Sequence, residues 1–157
     1  WLVRVPHPYT LADADAFIDQ SCLTARSGTA ATLALTLQSD RLHRLVGVVA
    51  LHSMDMRPEF GYWLGRPFWG KGYMPEALTA VLGYAFDTLR KDAVWGGHYA
   101  ENTQSGRVQA KCGLHVVAES KQDYFPLIDR HYDCVYRIIT AGEWRDAEHR
   151  QMARMIA

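Results

Sequence analysis

Apolar and polar positions change period along the chain, and each change marks a new element. Leu11, Ala14, Phe17 and Ile18 recur at helical spacing behind Thr10, a residue type that caps helix starts, so a helix is predicted over 10–26. "TLALTLQS" alternates Leu33, Leu35 and Leu37 with Thr32, Ala34 and Thr36, and "LVGVVALHS" is a β-branched run beyond the polar "DRLHR". The two read as an antiparallel hairpin. "PEFGYWLG" reads as a third strand, with Gly61 where a missing side chain marks a bulge or a close backbone approach. From Pro75 the period becomes helical: Leu78, Val81, Leu82, Ala85, Phe86 and Leu89 form one apolar stripe. A strand "AVWGGHYA", a short helix "TQSGRVQAKCG" closed by Gly113, strands "HVVAESKQ" and "HYDCVYRIIT", and a terminal helix "AGEWRDAEHRQMARMIA" follow. Strands alternating with helices after a hairpin predict a mixed α/β or α+β sheet.

Composition narrows the class. The 157 residues fit one domain, 1–157, with no linker or internal repeat. Seventeen basic against 17 acidic side chains leave no net field for nucleic acid or a membrane surface. Cys22, Cys112 and Cys134 lack CxxC spacing, which argues against a disulfide framework and a zinc site. The apolar runs are too short for a membrane span, and "WLVRVPHPYT" lacks the apolar run of a signal peptide. A cytoplasmic protein with a small or local partner is expected.

The densest local chemistry lies in "RPFWGKGYMPEAL", Arg66 to Leu78. A glycine-containing turn that opens a helix presents free backbone N–H groups and the positive end of the helix dipole to one point. Gly70 and Gly72 would allow positive φ and close approach of phosphate oxygens, with Lys71 adding a charge between them. By itself GxG is a weak signal, and a tight strand-to-helix turn is the favoured account of it. Pro75 occupies the third small-residue position of a Rossmann fingerprint, and the GxxxxGK[ST] of a Walker loop is absent.

"PEFGYWLGRPFWGKGYMPEAL", followed by "ENTQSGRVQAKCGL", resembles the GNAT acyl-CoA N-acyltransferase superfamily, within it the RimJ/RimL-like branch that acetylates ribosomal-protein N-termini. The branch pattern of a G-Y strand, WGxGYxxEA and NxxSxxVxxKxG runs from Phe60 to Leu114. The resemblance implies a GNAT fold: a mostly antiparallel sheet whose two parallel central strands, here "GYWLG" and "AVWGGHYA", splay apart to admit the pantetheine arm of acetyl-CoA. It implies that backbone amides from Trp69 through Gly70, Lys71, Gly72 and Tyr73 to Met74 hold the pyrophosphate. Tyr62, Trp63 and Leu64 would line the thioester, a strand amide near Trp63 or Leu64 would meet the oxyanion, and Asn102 and Ser105 would bind the pantetheine. No metal is implied.

Departures from the pattern shift roles. Pro67 stands where the loop usually has Gln or Arg, and Gln109 stands where many members carry a tyrosine that protonates the leaving thiolate. Ser105, or water, is then expected to be the acid, with Ser105 also serving as the N-terminal cap of its helix. Relatives usually open with a strand and a helix ahead of "PYT", so those elements are expected to be missing here.

Acetyl transfer to an amine needs a base for the amine, donors for the oxyanion and an acid for the sulfur. Glu59, at the start of the thioester strand, is the first candidate base, against an exposed strand-end carboxylate. His98 on the opposite strand comes second, against a partly buried structural histidine, and Asp123 third, with Tyr124 and Phe125 as covers in a polar loop. Trp69 and Tyr73 are placed beside the cofactor by loop position alone. Arg107 and Lys111 read as a solvated helix face that is within reach of a 3′-phosphate. Cys112 reads as a small core residue. The expected activity is acetylation of a protein N-terminal α-amine, with small amines or a non-catalytic acyl-CoA sensor as alternatives. A monomer and a homodimer are both compatible with the exposed "VYRIIT" strand.

Overall fold

The computed structural model of the chain describes residues 5–126 and 128–156. Helix α1 (Leu11–Ser27) starts where Thr10 and Asp13 cap each other: each side chain accepts the other's backbone N–H. It ends at Gly28, whose φ of 71° is left-handed. Strands β1 (Ala31–Leu35), β2 (Gly47–His52) and β3 (Glu59–Leu64) follow as an antiparallel meander. Helix α2 (Tyr73–Gly83) crosses to β4 (Ala93–Tyr99), and α3 (Thr103–Lys111) leads to the long hairpin β5 (His115–Phe125) and β6 (Arg130–Thr140). Helix α4 (Ala141–Ile156) closes the chain.

Among the described residues the six strands form one sheet in the order β1-β2-β3-β4-β6-β5. Every neighbour pair is antiparallel except β3 and β4, which run parallel and pair at a single position, Glu59 with Trp95. The Trp95 N–H donates to the Pro58 carbonyl at 2.9 Å. Beyond Trp95 the strands diverge, giving the splayed pair expected from the resemblance.

The predicted stripe on α2 is the core of the molecule. Leu78, Val81, Leu82, Ala85 and Phe86 are buried against Val49, Leu51, Phe60, Val94 and Ile139 of the sheet. Two details differ from the periodicity. The helix opens at Tyr73, two residues before Pro75, and its last turn, Tyr84–Thr88, widens to π geometry in which the Leu89 N–H reaches the Tyr84 carbonyl at 3.0 Å. There Trp144 of α4 packs on Phe86, ring centroids 5.7 Å apart, and draws the last helix into the same core.

The predicted loop after "HVVAESKQ" is strand instead. β5 runs on to Phe125 through two register shifts against β6, one between Val116 and Ala118 and one between Ser120 and Asp123. Each shift admits unpaired residues while keeping the hairpin closed. On α1 the predicted apolar face is present but no residue of the helix is buried: Leu11, Phe17 and Ile18 remain exposed.

Candidate active site

The end of β3, the 3₁₀ turn Arg66–Phe68 and the start of α2 form the mouth of the splay. Gly70 and Gly72 have φ of 74° and 85°, the left-handed region that disfavours side chains. A Cβ built at either position would meet nothing within 4 Å, so space above the loop is open while the backbone demands glycine. Gly72 caps α2 with no side-chain bond, which leaves the first amides of the helix pointing outward. This open, positively polarised turn suits the pyrophosphate of coenzyme A.

The loop is tied down by its own side chains. The Trp69 indole N–H donates to the Leu64 carbonyl at 2.6 Å. The Lys71 ammonium lies 5.8 Å over the Phe68 ring, and the Arg66 guanidinium 5.9 Å over Trp69. Met74 is buried, so at this site it offers only its backbone, whereas Tyr73 is half-buried at the rim.

Hydrogen-bond alternation decides which backbone groups face the splay. The Gly65 N–H bonds to the Val46 carbonyl, so Glu59, Gly61 and Trp63 spend their main-chain groups on β2. Phe60, Tyr62 and Leu64 turn theirs toward β4. Since the Leu64 carbonyl is taken by Trp69, the Tyr62 and Leu64 N–H groups are the β3 donors aimed into the gap.

On the facing strand the Ala100 N–H bonds to the Asp133 carbonyl, which by the same alternation points the main chain of Gly97 and Tyr99 into the gap. Their carbonyls are covered from α3: the Gln109 Nε2 donates to Gly97 at 3.3 Å, and the Asn102 N–H donates to Tyr99 at 2.8 Å. Asn102 is therefore the N-cap of α3, with its Oδ1 accepting the Ser105 N–H at 3.3 Å. Ser105 sits three residues into the helix and is not itself the cap. Its Oγ lies 2.8 Å from the Tyr62 hydroxyl and accepts from Gln109 Nε2 at 3.2 Å. Burial pushes the Tyr62 phenol up, so it stays protonated at neutral pH.

The candidate bases occupy distinct places. Glu59 stands where the splay closes, its side chain half exposed, with Arg57 Nε 3.3 Å from its carboxylate. That guanidinium also stacks on Trp95, 4.0 Å from the ring centroid. His98 faces α3, its ring about 3.0 Å from where a Cβ of Gly106 would be. Its Nδ1 bonds the Tyr99 carbonyl at 2.9 Å, while Nε2 is buried without a partner among the described residues. Asp123 lies within the β5 strand; its carboxylate accepts from Ser120 and, at 2.7 Å, from the Tyr136 hydroxyl. These two donors hold its carboxyl below the usual range, which makes it a weaker base. Tyr124 is turned away, its ring on His131 and its hydroxyl donating to Asp129 at 2.9 Å. Phe125 packs with Tyr99 and Tyr132.

The bland readings find plain places. Arg107 and Lys111 are exposed on α3. Cys112 is buried, burial pushes its thiol up, and it bonds the Pro75 carbonyl at 3.5 Å. Among the described residues there is no group of three or more potential metal ligands, and no helix is long and apolar enough to cross a membrane. Tyr62 was expected at the thioester and Gln109 was noted only as a departure from the pattern; the contact of both with Ser105 was not read from the sequence, because they meet it only through the fold.

Known proteins resemble the chain in sequence and in fold. Residues 1–115 match the family described as the acetyltransferase (GNAT) domain. The chain is 31% identical over 84 residues to the [ribosomal protein uS5]-alanine N-acetyltransferase of Escherichia coli, covering 54% of this chain and 43% of that one. It is 33% identical over 100 residues to the FsC-acetyl coenzyme A-N(2)-transacetylase of Aspergillus fumigatus, covering 62% and 42%. Of the relatives it matches first, the chain spans 56% or less of their own length. In fold it superposes on the microcin C7 self-immunity acetyltransferase MccE, solved with acetyl-CoA and AMP, with a TM-score of 0.77, 20% identity and coverage of 88% and 78%. The family match over most of the chain, on a sheet splayed between β3 and β4, establishes that this chain belongs to the GNAT acetyltransferase family.

Proposed function

We propose that the protein transfers the acetyl group of acetyl-CoA to a primary amine by direct attack, the acceptor being a protein N-terminal α-amine. The observation that carries this reading is the splay itself: a gap that closes at Glu59 and Trp95, with the Gly72-capped helix at its mouth and Ser105 in its wall. When bound, acetyl-CoA supplies the thioester carbonyl that accepts the amine and the sulfur that departs.

The chain's own residues then divide the work. The amides of Gly70 to Met74 hold the pyrophosphate, and the gap-facing N–H groups of β3 and β4 bond the pantetheine as a strand would. The Tyr62 or Leu64 N–H stabilises the oxyanion, Glu59 accepts the amine proton directly or through water, and Ser105 donates to the sulfur. An α-amine, with a reference pKa of about 7.8 against about 10.4 for lysine, needs only such a weak, exposed carboxylate. The relative named as a [ribosomal protein uS5]-alanine N-acetyltransferase supports the acceptor class.

The test is thiol release from acetyl-CoA in the presence of N-terminal peptides, free amino acids or polyamines. Turnover on peptides is expected. Preference for small amines would replace the acceptor, binding without turnover on any amine would make the domain a sensor, and failure to bind coenzyme A would overturn the reading.

A further inference from the structure

The Ser105 hydroxyl is held by two groups from different elements, and counting hydrogens shows what they impose. Gln109 is 1% exposed, and both hydrogens of its Nε2 are engaged, one by the Gly97 carbonyl at 3.3 Å and one by Ser105 Oγ at 3.2 Å. The carbonyl can only accept, so the amide nitrogen must face it and cannot exchange places with Oε1. Ser105 Oγ therefore always receives a hydrogen from Gln109.

Tyr62 supplies the second contact. Its hydroxyl is 2.8 Å from Ser105 Oγ and 3.2 Å from the Ser105 carbonyl. Its single hydrogen has two destinations. Given to the carbonyl, it leaves the Tyr62 oxygen to accept the serine hydrogen. Given to Oγ, it fills the second lone pair of that oxygen, and the serine hydrogen must find an acceptor elsewhere. Rotating two O–H bonds interconverts these states without moving a heavy atom. An anionic acceptor in the splay selects the second, because Oγ then donates outward while two donors stand behind it.

We propose that Tyr62 and Gln109 are positioning residues that aim the Ser105 hydrogen into the gap between β3 and β4 at a thiolate, and supply two hydrogen bonds to Oγ as it donates. This inference rests on the reading of Ser105 as the group that faces the departing sulfur. It makes the β3 phenol and the α3 amide parts of one device, assembled across 43 residues of sequence.

The probe is coenzyme A itself, bound to the folded protein, with its thiol titrated by the ultraviolet absorbance of the thiolate. This readout needs no acceptor and is unmoved by a residue that merely packs. Ser105→Ala should raise the bound thiol's titration by about one pH unit, a tenfold change in the thiol–thiolate equilibrium. Tyr62→Phe, which removes only the hydroxyl, should raise it by a similar amount, and the double variant should go no further than Ser105→Ala alone. Gln109→Met provides a second, independent variant with the same expectation.

If Ser105→Ala shifts the titration and neither Tyr62→Phe nor Gln109→Met does, the positioning role is wrong and the serine role stands. If Ser105→Ala leaves it unmoved, the serine reading beneath falls first. Additive shifts in the double variant would show Tyr62 acting on sulfur by itself and would also overturn the inference.

Discussion

The ring of Phe60 occupies the space that a Cβ on Gly96 would need: such an atom would lie 2.0 Å from Cζ of the ring. Phe60 and Gly96 sit on β3 and β4 just past the position where the two strands part, so an aromatic wedge on one strand meets a bare backbone on the other. Gly96→Ala should cost roughly 1–3 kcal/mol by overpacking, read as a lower urea midpoint at constant slope. Phe60→Leu in that background should recover part of the loss, since it removes the atoms that the new methyl meets. Equal midpoints for wild type and Gly96→Ala would contradict the packing.

Gly72→Ala separates stability from cofactor affinity. Left-handed φ costs an alanine roughly 1–2 kcal/mol, yet no neighbour would clash with the new methyl. The protein should stay folded, and acetyl-CoA should bind about tenfold more weakly by calorimetry, because relaxing the loop misaims the amides at the start of α2. Gly28→Ala, which has the same strain and open space at the far end of α1, is the control: it should lower stability and leave acetyl-CoA affinity alone.

Glu59→Gln keeps shape and hydrogen bonding while removing the proton acceptor, and it removes the charge that faces Arg57. Acetyl-CoA affinity should be unchanged, while the acid limb of the pH dependence of kcat/KM should disappear and kcat at neutral pH should fall by 10- to 100-fold. A profile that keeps its acid limb would remove Glu59 as the base.

The hairpin β5–β6 predicts loss of stability at both ends of the pH scale. Ser120 and Tyr136 hold the Asp123 carboxyl below its usual range, so its contribution is complete above about pH 4 and is lost as pH falls through the lowered native value. The bond to Asp123 pushes the Tyr136 phenol up from 10.0 to about 12, and burial followed by the Asp123 charge pushes the Cys134 thiol from 9.0 to about 11. Native forms of both hold their protons longer, so these contributions are complete below about pH 9 and disappear as pH rises toward 12. Urea midpoints measured from pH 3 to pH 11 should fall at both extremes, and Asp123→Asn should flatten both limbs. A variant as pH-sensitive as wild type would show the cluster to be irrelevant.

What the sequence revealed followed from local rules. Leu78 to Phe86 mark a buried helix face because only a helix brings those positions together, and Gly70 and Gly72 mark positive φ because other residues resist it. The π turn at Tyr84–Thr88 was not legible, since Ala85, Phe86 and Leu89 stay apolar-in under either winding. The bulges of β5 were hidden by a polar stretch that reads as loop, and only pairing with β6 reveals the strand. Asn102 was expected at the pantetheine from the resemblance; that its Oδ1 also caps α3, by accepting the Ser105 N–H, was not legible. Tyr62 belongs to the G-Y strand and Gln109 to the segment after Asn102, yet neither motif shows that the hydroxyl and the buried amide meet at Ser105. Their partners lie on other elements, and contact between distant segments leaves no trace in spacing. On α1 the period marks an apolar face of which no residue is buried, since a pattern shows which face is apolar and not what lies against it.

The single rung between β3 and β4 has a further consequence. Past Trp95 each of the two strands has an edge inside one sheet with no strand beside it among the described residues, so a pantetheine lying there would complete the sheet as well as deliver an acetyl group. On the proposed function, the folded lifetime of the protein is then tied to the supply of its donor. At a hundredfold excess over the dissociation constant the ligand adds about 2.7 kcal/mol, enough to make the abundance of the protein in a cell follow the local level of acetyl-CoA.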